Sequence, residues 1–111
     1  MTSLLILIAK MFFVHWVADF ALQSDKMARE KSSNNWVLAF HCMVYSMCFI
    51  VFGQPMLVLW LMSSHFVIDY FTSRMTKKLW AEKRVHAFFV VIGFDQFLHA
   101  LCILFWLQVT L

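Results

Sequence analysis

Residues 3–23 read SLLILIAKMFFVHWVADFALQ. At 1.5 Å per residue such a run reaches roughly 30 Å as a helix, the thickness of the hydrocarbon core of a bilayer. It nevertheless carries His15 and Asp19. A lone ionised side chain at that depth costs about 2.5–3.5 kcal/mol on insertion scales. The two residues are four apart and therefore share one helix face. The stretch reads as a membrane span that turns one polar pair toward the protein interior.

The same signature recurs along the chain. His65 and Asp69 repeat it in a second apolar run, Asp95 and His99 repeat it in reverse order in another, and His41 stands unpaired in a fourth. The composition agrees with four spans: 63% of residues are hydrophobic and 14% charged, with a mean hydropathy of +0.78, a profile of membrane rather than soluble domains. The expected architecture is all-α, a single membrane domain over residues 1–111, with helices at about 3–23, 36–52, 56–72 and 85–111 in an up-down bundle. The segment SDKMAREKSSNN is expected as a polar loop, with Asn34 or Asn35 capping the second helix. Gly53-Gln54-Pro55 is expected as a tight turn with proline opening the third. SRMTKKLWAEKR is expected as the loop before the last. The N-terminus lacks a basic leader segment and a small-residue cleavage site, so its apolar run is expected to be kept as a helix.

Charge gives the orientation. Of nine Lys and Arg, all but Lys10 fall in two segments, Lys26–Lys31 and Arg74–Arg84. By the positive-inside rule these loops are cytoplasmic and both termini face outward, as in a multi-pass protein of a cell inner membrane. The net charge of +3 is thereby spent on topology and acidic headgroups. Membrane lipids are the expected partners and a second copy of the chain the next candidate; nucleic acid is excluded. Lys10, within the first helix, is expected to snorkel to the outer surface. Cys42, Cys48 and Cys102 form no CxxC and are expected to pack as small hydrophobes.

Depth tests whether the polar residues can meet. From the cytoplasmic helix ends, His15 and His65 lie roughly 12–13 Å deep, Asp19 and Asp69 roughly 6–8 Å, and His41 about 9 Å. Asp95 and His99 fall at roughly 10–15 Å and 16–21 Å. All four helices thus bring histidine to one half of the membrane and three bring a carboxylate, which points to a shared cavity. Gln23, Tyr45, Thr72 and Gln96 lie on the same faces and are candidates to orient the others. His86, among Lys83 and Arg84, belongs to the interface.

Four chemistries fit this set. Mixed imidazole and carboxylate donors suit a divalent ion such as Zn, Mn or Fe, one or two in number. The ligand set is then His15, Asp19, His65, Asp69, Asp95 and His99, with His41 a seventh ligand or a catalytic acid/base. A metal also offsets the cost of burying three carboxylates. A purely structural His–Asp network, a proton or ion pathway and bis-histidine haem ligation are the alternatives. Whether the chain is an enzyme stays open. Metal-assisted hydrolysis of a lipid headgroup or cytosolic ester is the chemistry a metal implies.

These residues, in this order, resemble the small bacterial and phage membrane family known as domain of unknown function 3307. The likeness rests on HWVADFALQ from His15 to Gln23, with Met27, Ala28 and Lys31, then on His41, HFVIDY from His65 to Tyr70 and DQFLH from Asp95 to His99. It implies a polytopic membrane protein with those residues at signature positions, and it supplies no activity. A looser likeness, without the fuller acidic and histidine-rich motifs, links the chain to a family of bacterial inner-membrane metal-dependent hydrolases.

Overall fold

The computed structural model describes residues 2–110. Every regular element among them is helical: α1 (Ser3–Ala21), α2 (Asp25–Glu30), α3 (Asn35–Phe52), α4 (Pro55–Ala81) and α5 (Val85–Thr110). Four of these, all but α2, are long and apolar enough to cross a membrane. The expected end of the last helix at Leu111 lies outside the described residues.

Local chemistry sets most of the boundaries. The Thr2 hydroxyl accepts from Leu5 N–H to open α1, and Asn34 Oδ1 accepts from Trp36 and Val37 to open α3, as N-caps do. The last turn of α3 tightens to a 3₁₀ helix, Cys48–Phe52, and Gly53 ends it in the left-handed region at φ 71°, where a side chain is costly. Pro55 then starts α4 at a position where its missing N–H is harmless.

Two expectations need correction. The third long helix does not stop at Thr72 but continues to Ala81. Ser73–Trp80 lacks Gly and Pro and contains good helix formers, so the helix outlasts its apolar stretch. Arg74 helps, stacking over the Tyr70 ring at 3.7 Å and reaching Asn35 Oδ1 at 2.8 Å. The helix ends with Lys83 at φ 59° and paired bonds from Arg84 N–H to the Leu79 carbonyl and from Lys83 N–H to that of Trp80, the Schellman pattern. The segment after α1 is not all loop either, since Ser24 caps the short α2.

α4 is central, packed most extensively on α5 and next on α3, while α1 leans on α3. The particle measures 45 × 28 × 22 Å, and its long axis matches a bilayer with its headgroups. Burial is inverted relative to a soluble protein. Trp36 and Val51 are 86% and 73% exposed, whereas His41, His65, Asp69 and His99 are almost completely buried. Inside, an apolar core of Met11, Phe49, Leu57, Leu61, Ile103 and Leu107 occupies the half toward the Gly53 turn. The charged cluster occupies the other half.

Candidate metal centre

α1 delivers Asp19 from an irregular turn. Its final residues, Val17–Ala21, form a π-helical turn closed by Leu22 N–H to the Val17 carbonyl at 2.9 Å. Such wide turns re-aim side chains and are frequent at functional sites. Here Asp19 stands 3.9 Å from its helix-mate His15 but 3.2 and 3.3 Å from His41 and His65 on neighbouring helices.

Four atoms converge: Asp19 Oδ1, His41 Nε2, His65 Nε2 and Asp69 Oδ2. The two imidazole nitrogens are 3.1 Å apart. Each lies 3.2–3.3 Å from both carboxylate oxygens. Of the four nitrogen–carboxylate approaches, only His41 to Asp19 is aligned as a hydrogen bond. An ion with bonds of about 2.0–2.1 Å in tetrahedral coordination separates its ligand atoms by about 3.3–3.4 Å. The five His–His and His–carboxylate spacings are therefore of the size that one small ion requires of its ligand atoms, and the group could hold a metal. The same spacing is too short for His41 and His65 to sit on opposite faces of a haem.

The rings are held by stacking. His65 lies between Tyr45 and His99, with ring centroids at 3.9 and 4.0 Å and interplanar angles of 18° and 22°. Nδ1 of His41 and of His65 is buried without a partner. Ring packing thus does the orienting that an acceptor on the second nitrogen does in many metal sites.

A second donor group, Asp19, Asp95 and His99, shares Asp19 with the first. Asp69 connects them: its Oδ2 belongs to the tight group while Oδ1 accepts from His99 Nε2 at 3.1 Å. His99 also lies 3.3 Å from Asp95, which accepts from the Thr72 hydroxyl and from Gln96.

The sequence-expected residues divide into roles. Asp19, His65, Asp69, Asp95 and His99 fall in the groups that could hold a metal ion, and His41 joins them inside the tight group. His15 stands apart. The Gln96 amide donates to Asp19 and Asp95 at 3.1 and 3.0 Å, so its oxygen accepts from His15 Nε2 at 2.8 Å, and His15 Nδ1 accepts from the Tyr45 hydroxyl at 2.7 Å. Both His15 nitrogens are thereby engaged, and His15 positions Gln96 instead of offering a free lone pair. Cys42, Cys48 and Cys102 are free thiols outside both donor groups.

Lys31 was read from sequence as one of the basic residues that set topology and as one of the motif residues after Gln23, not as a partner of the buried carboxylates. It reaches back from beyond α2 to put Nζ 3.0 Å from Asp69 Oδ2, with only 16% of its side chain exposed. Burial acts to lower its pKa, but Asp69, with Asp19 and Asp95 behind it, outweighs that effect and raises it. Its place among the motif residues after Gln23 was the one available signal. Spacing had no means of showing a contact across 38 positions.

The family model described as "Protein of unknown function (DUF3307)" matches residues 6–111. No curated protein and no solved structure matches the chain.

Proposed function

The chain belongs to the DUF3307 family, and from that premise and the donor geometry we propose that it is an integral membrane protein that binds a divalent metal within its bundle. Asp19, His41, His65 and Asp69 hold the ion. Asp95 and His99 extend the site through Asp69 and provide for a second ion or for groups that act on a substrate. The observation that carries this reading is the set of four buried donor atoms within 4.8 Å of one another, the two imidazole nitrogens 3.1 Å apart and each 3.2–3.3 Å from both carboxylate oxygens. The basic ends of the bundle, α2 with the loop around it and the end of α4, face the cytoplasm, with both termini outside. Cysteine labelling at position 54 from the outer face alone is the expected result, and labelling from the cytoplasm alone reverses the orientation.

The reading extends to metal-dependent hydrolysis. A bound divalent ion lowers the pKa of a water and polarises a phosphoryl or acyl oxygen. A metal-free network is the second reading, favoured by the chain Tyr45–His15–Gln96, whose hydrogen bonds are complete without an ion. Elemental analysis of detergent-purified protein separates the two. Near-stoichiometric Zn, Mn or Fe in the wild type and under about a tenth of that in Asp69→Asn supports the metal, since Asn keeps the size and removes the anionic ligand. Wild-type protein that stays metal-free after loading with each ion establishes the network instead.

A further inference from the structure

A cavity of about 530 Å³ lies against the metal centre, between the α1–α3 connection, the second half of α4 and the first half of α5. Its inner wall includes Asp69 and Asp95. Three cations border it: Lys31, Arg29 and Lys77. Among the described residues, neither Arg29 nor Lys77 is paired with a carboxylate, and Lys31 bonds only to Asp69, leaving two ammonium protons free. Ser73 is 7% exposed, and its hydroxyl oxygen in the cavity wall is buried without a partner. The lining also includes the apolar side chains of Trp80, Phe88, Phe89 and Ile92, of which Trp80 and Phe89 are largely exposed.

A lining that combines cations and a free hydroxyl with aromatic side chains is complementary to a molecule with an anionic head and an apolar tail. Guest carboxylates and phosphates both satisfy lysine. A phosphate, with more acceptor oxygens, also takes up the Ser73 hydroxyl and the dispersed charges of Arg29 and Lys77. Lys31 offsets the charge of Asp69, and Asp95, an anion held by Thr72 and Gln96, keeps the phosphate at the Lys31 and Ser73 end of the cavity.

We propose that this cavity binds a phosphate-bearing amphiphile, with its phosphate beside Lys31 and Ser73 and its chain along Phe88, Phe89 and Ile92, and that this class is the substrate presented to the metal centre. The assignment deepens the metal-site reading and rests on it for the substrate role. Binding itself requires no ion.

The experiment is native mass spectrometry of the purified full-length protein, with and without chelator. The protein is titrated with dioleoyl phosphatidic acid, dioleoyl phosphatidylcholine, dioleoylglycerol or inorganic phosphate. Phosphatidic acid is expected to bind at least about tenfold more tightly than each of the others. Lys31→Met is expected to weaken it by about tenfold while Lys31→Arg retains it, and Ser73→Ala to weaken it severalfold with the protein still folded. Equal affinity for phosphatidic acid and phosphatidylcholine, or Lys31→Met and Ser73→Ala both binding like wild type, overturns the proposal. Inorganic phosphate binding as tightly as phosphatidic acid overturns the amphiphile and leaves a site for free phosphate. Selectivity that survives chelation in a protein shown to bind no metal keeps the lipid site and removes its catalytic role, so the two failures are told apart.

Discussion

The two halves of the bundle solve opposite problems with the same four long helices. Toward the Gly53 turn, Phe49, Leu57, Leu61 and Ile103 fill the centre. Toward the basic ends, Asp19, His41, His65, Asp69, Asp95 and His99 fill it. In water the apolar half would carry the stability. In lipid it gains little from the hydrophobic effect, because the tails outside are as apolar as the core, and packing alone holds it. The charged half bears a desolvation cost that only partners repay. The specificity of the bundle therefore resides in its polar half, and its apolar half serves as a close-packed frame. Tyr45 joins them, packing on Phe49 at 5.3 Å while stacking on His65 and bonding to His15.

If the charged half depends on an ion, removing it should produce the largest effect. A chelator is expected to lower the wild-type melting temperature far more than that of Asp69→Asn. An ion at a thousandfold excess over its dissociation constant stabilises the folded state by about 4 kcal/mol. Equal shifts in the two proteins, or none in either, would show that the polar half stands by hydrogen bonds alone.

The apolar half should respond to volume and not to metal. Leu61→Ala, at a position only 1% exposed, is expected to cost about 2–3 kcal/mol through the cavity it leaves. Metal content, read by elemental analysis of the same sample, should stay at the wild-type level. Loss of the ion in this variant would mean that the two halves are one cooperative unit.

The smallest effect is expected at the border of the donor set. Gln96→Leu removes the amide that joins His15 to Asp19 and Asp95. Membrane hydrogen bonds average only about 0.6 kcal/mol, so the melting temperature should drop modestly while bound metal persists. A metal-free Gln96→Leu protein would promote Gln96 from a positioning residue to an essential part of the site.

Much of this was legible in the sequence alone. Apolar length marked the four long helices, Asn34 and Gly53-Gln54-Pro55 marked boundaries, and the i,i+4 recurrence of His and Asp marked the polar faces. The helical extension to Ala81 was hidden because hydropathy reports contact with lipid, whereas a helix persists wherever no residue breaks it. The π-helical turn at Val17–Ala21 was hidden because nothing in VADFA departs from ordinary helical sequence.

Sequence therefore determined which residues lie in helices long and apolar enough to cross a membrane and which face each one occupies, since both follow from apolar length and the 3.6-residue period. Tertiary structure decided which atoms meet. Helix rotation, relative depth and the wide turn in α1 place Asp19 against His41 and His65, commit both nitrogens of His15 to Tyr45 and Gln96, and bring Lys31 back onto Asp69. Those contacts cross helices and span 22 to 81 positions, so packing fixes them and periodicity along one helix does not.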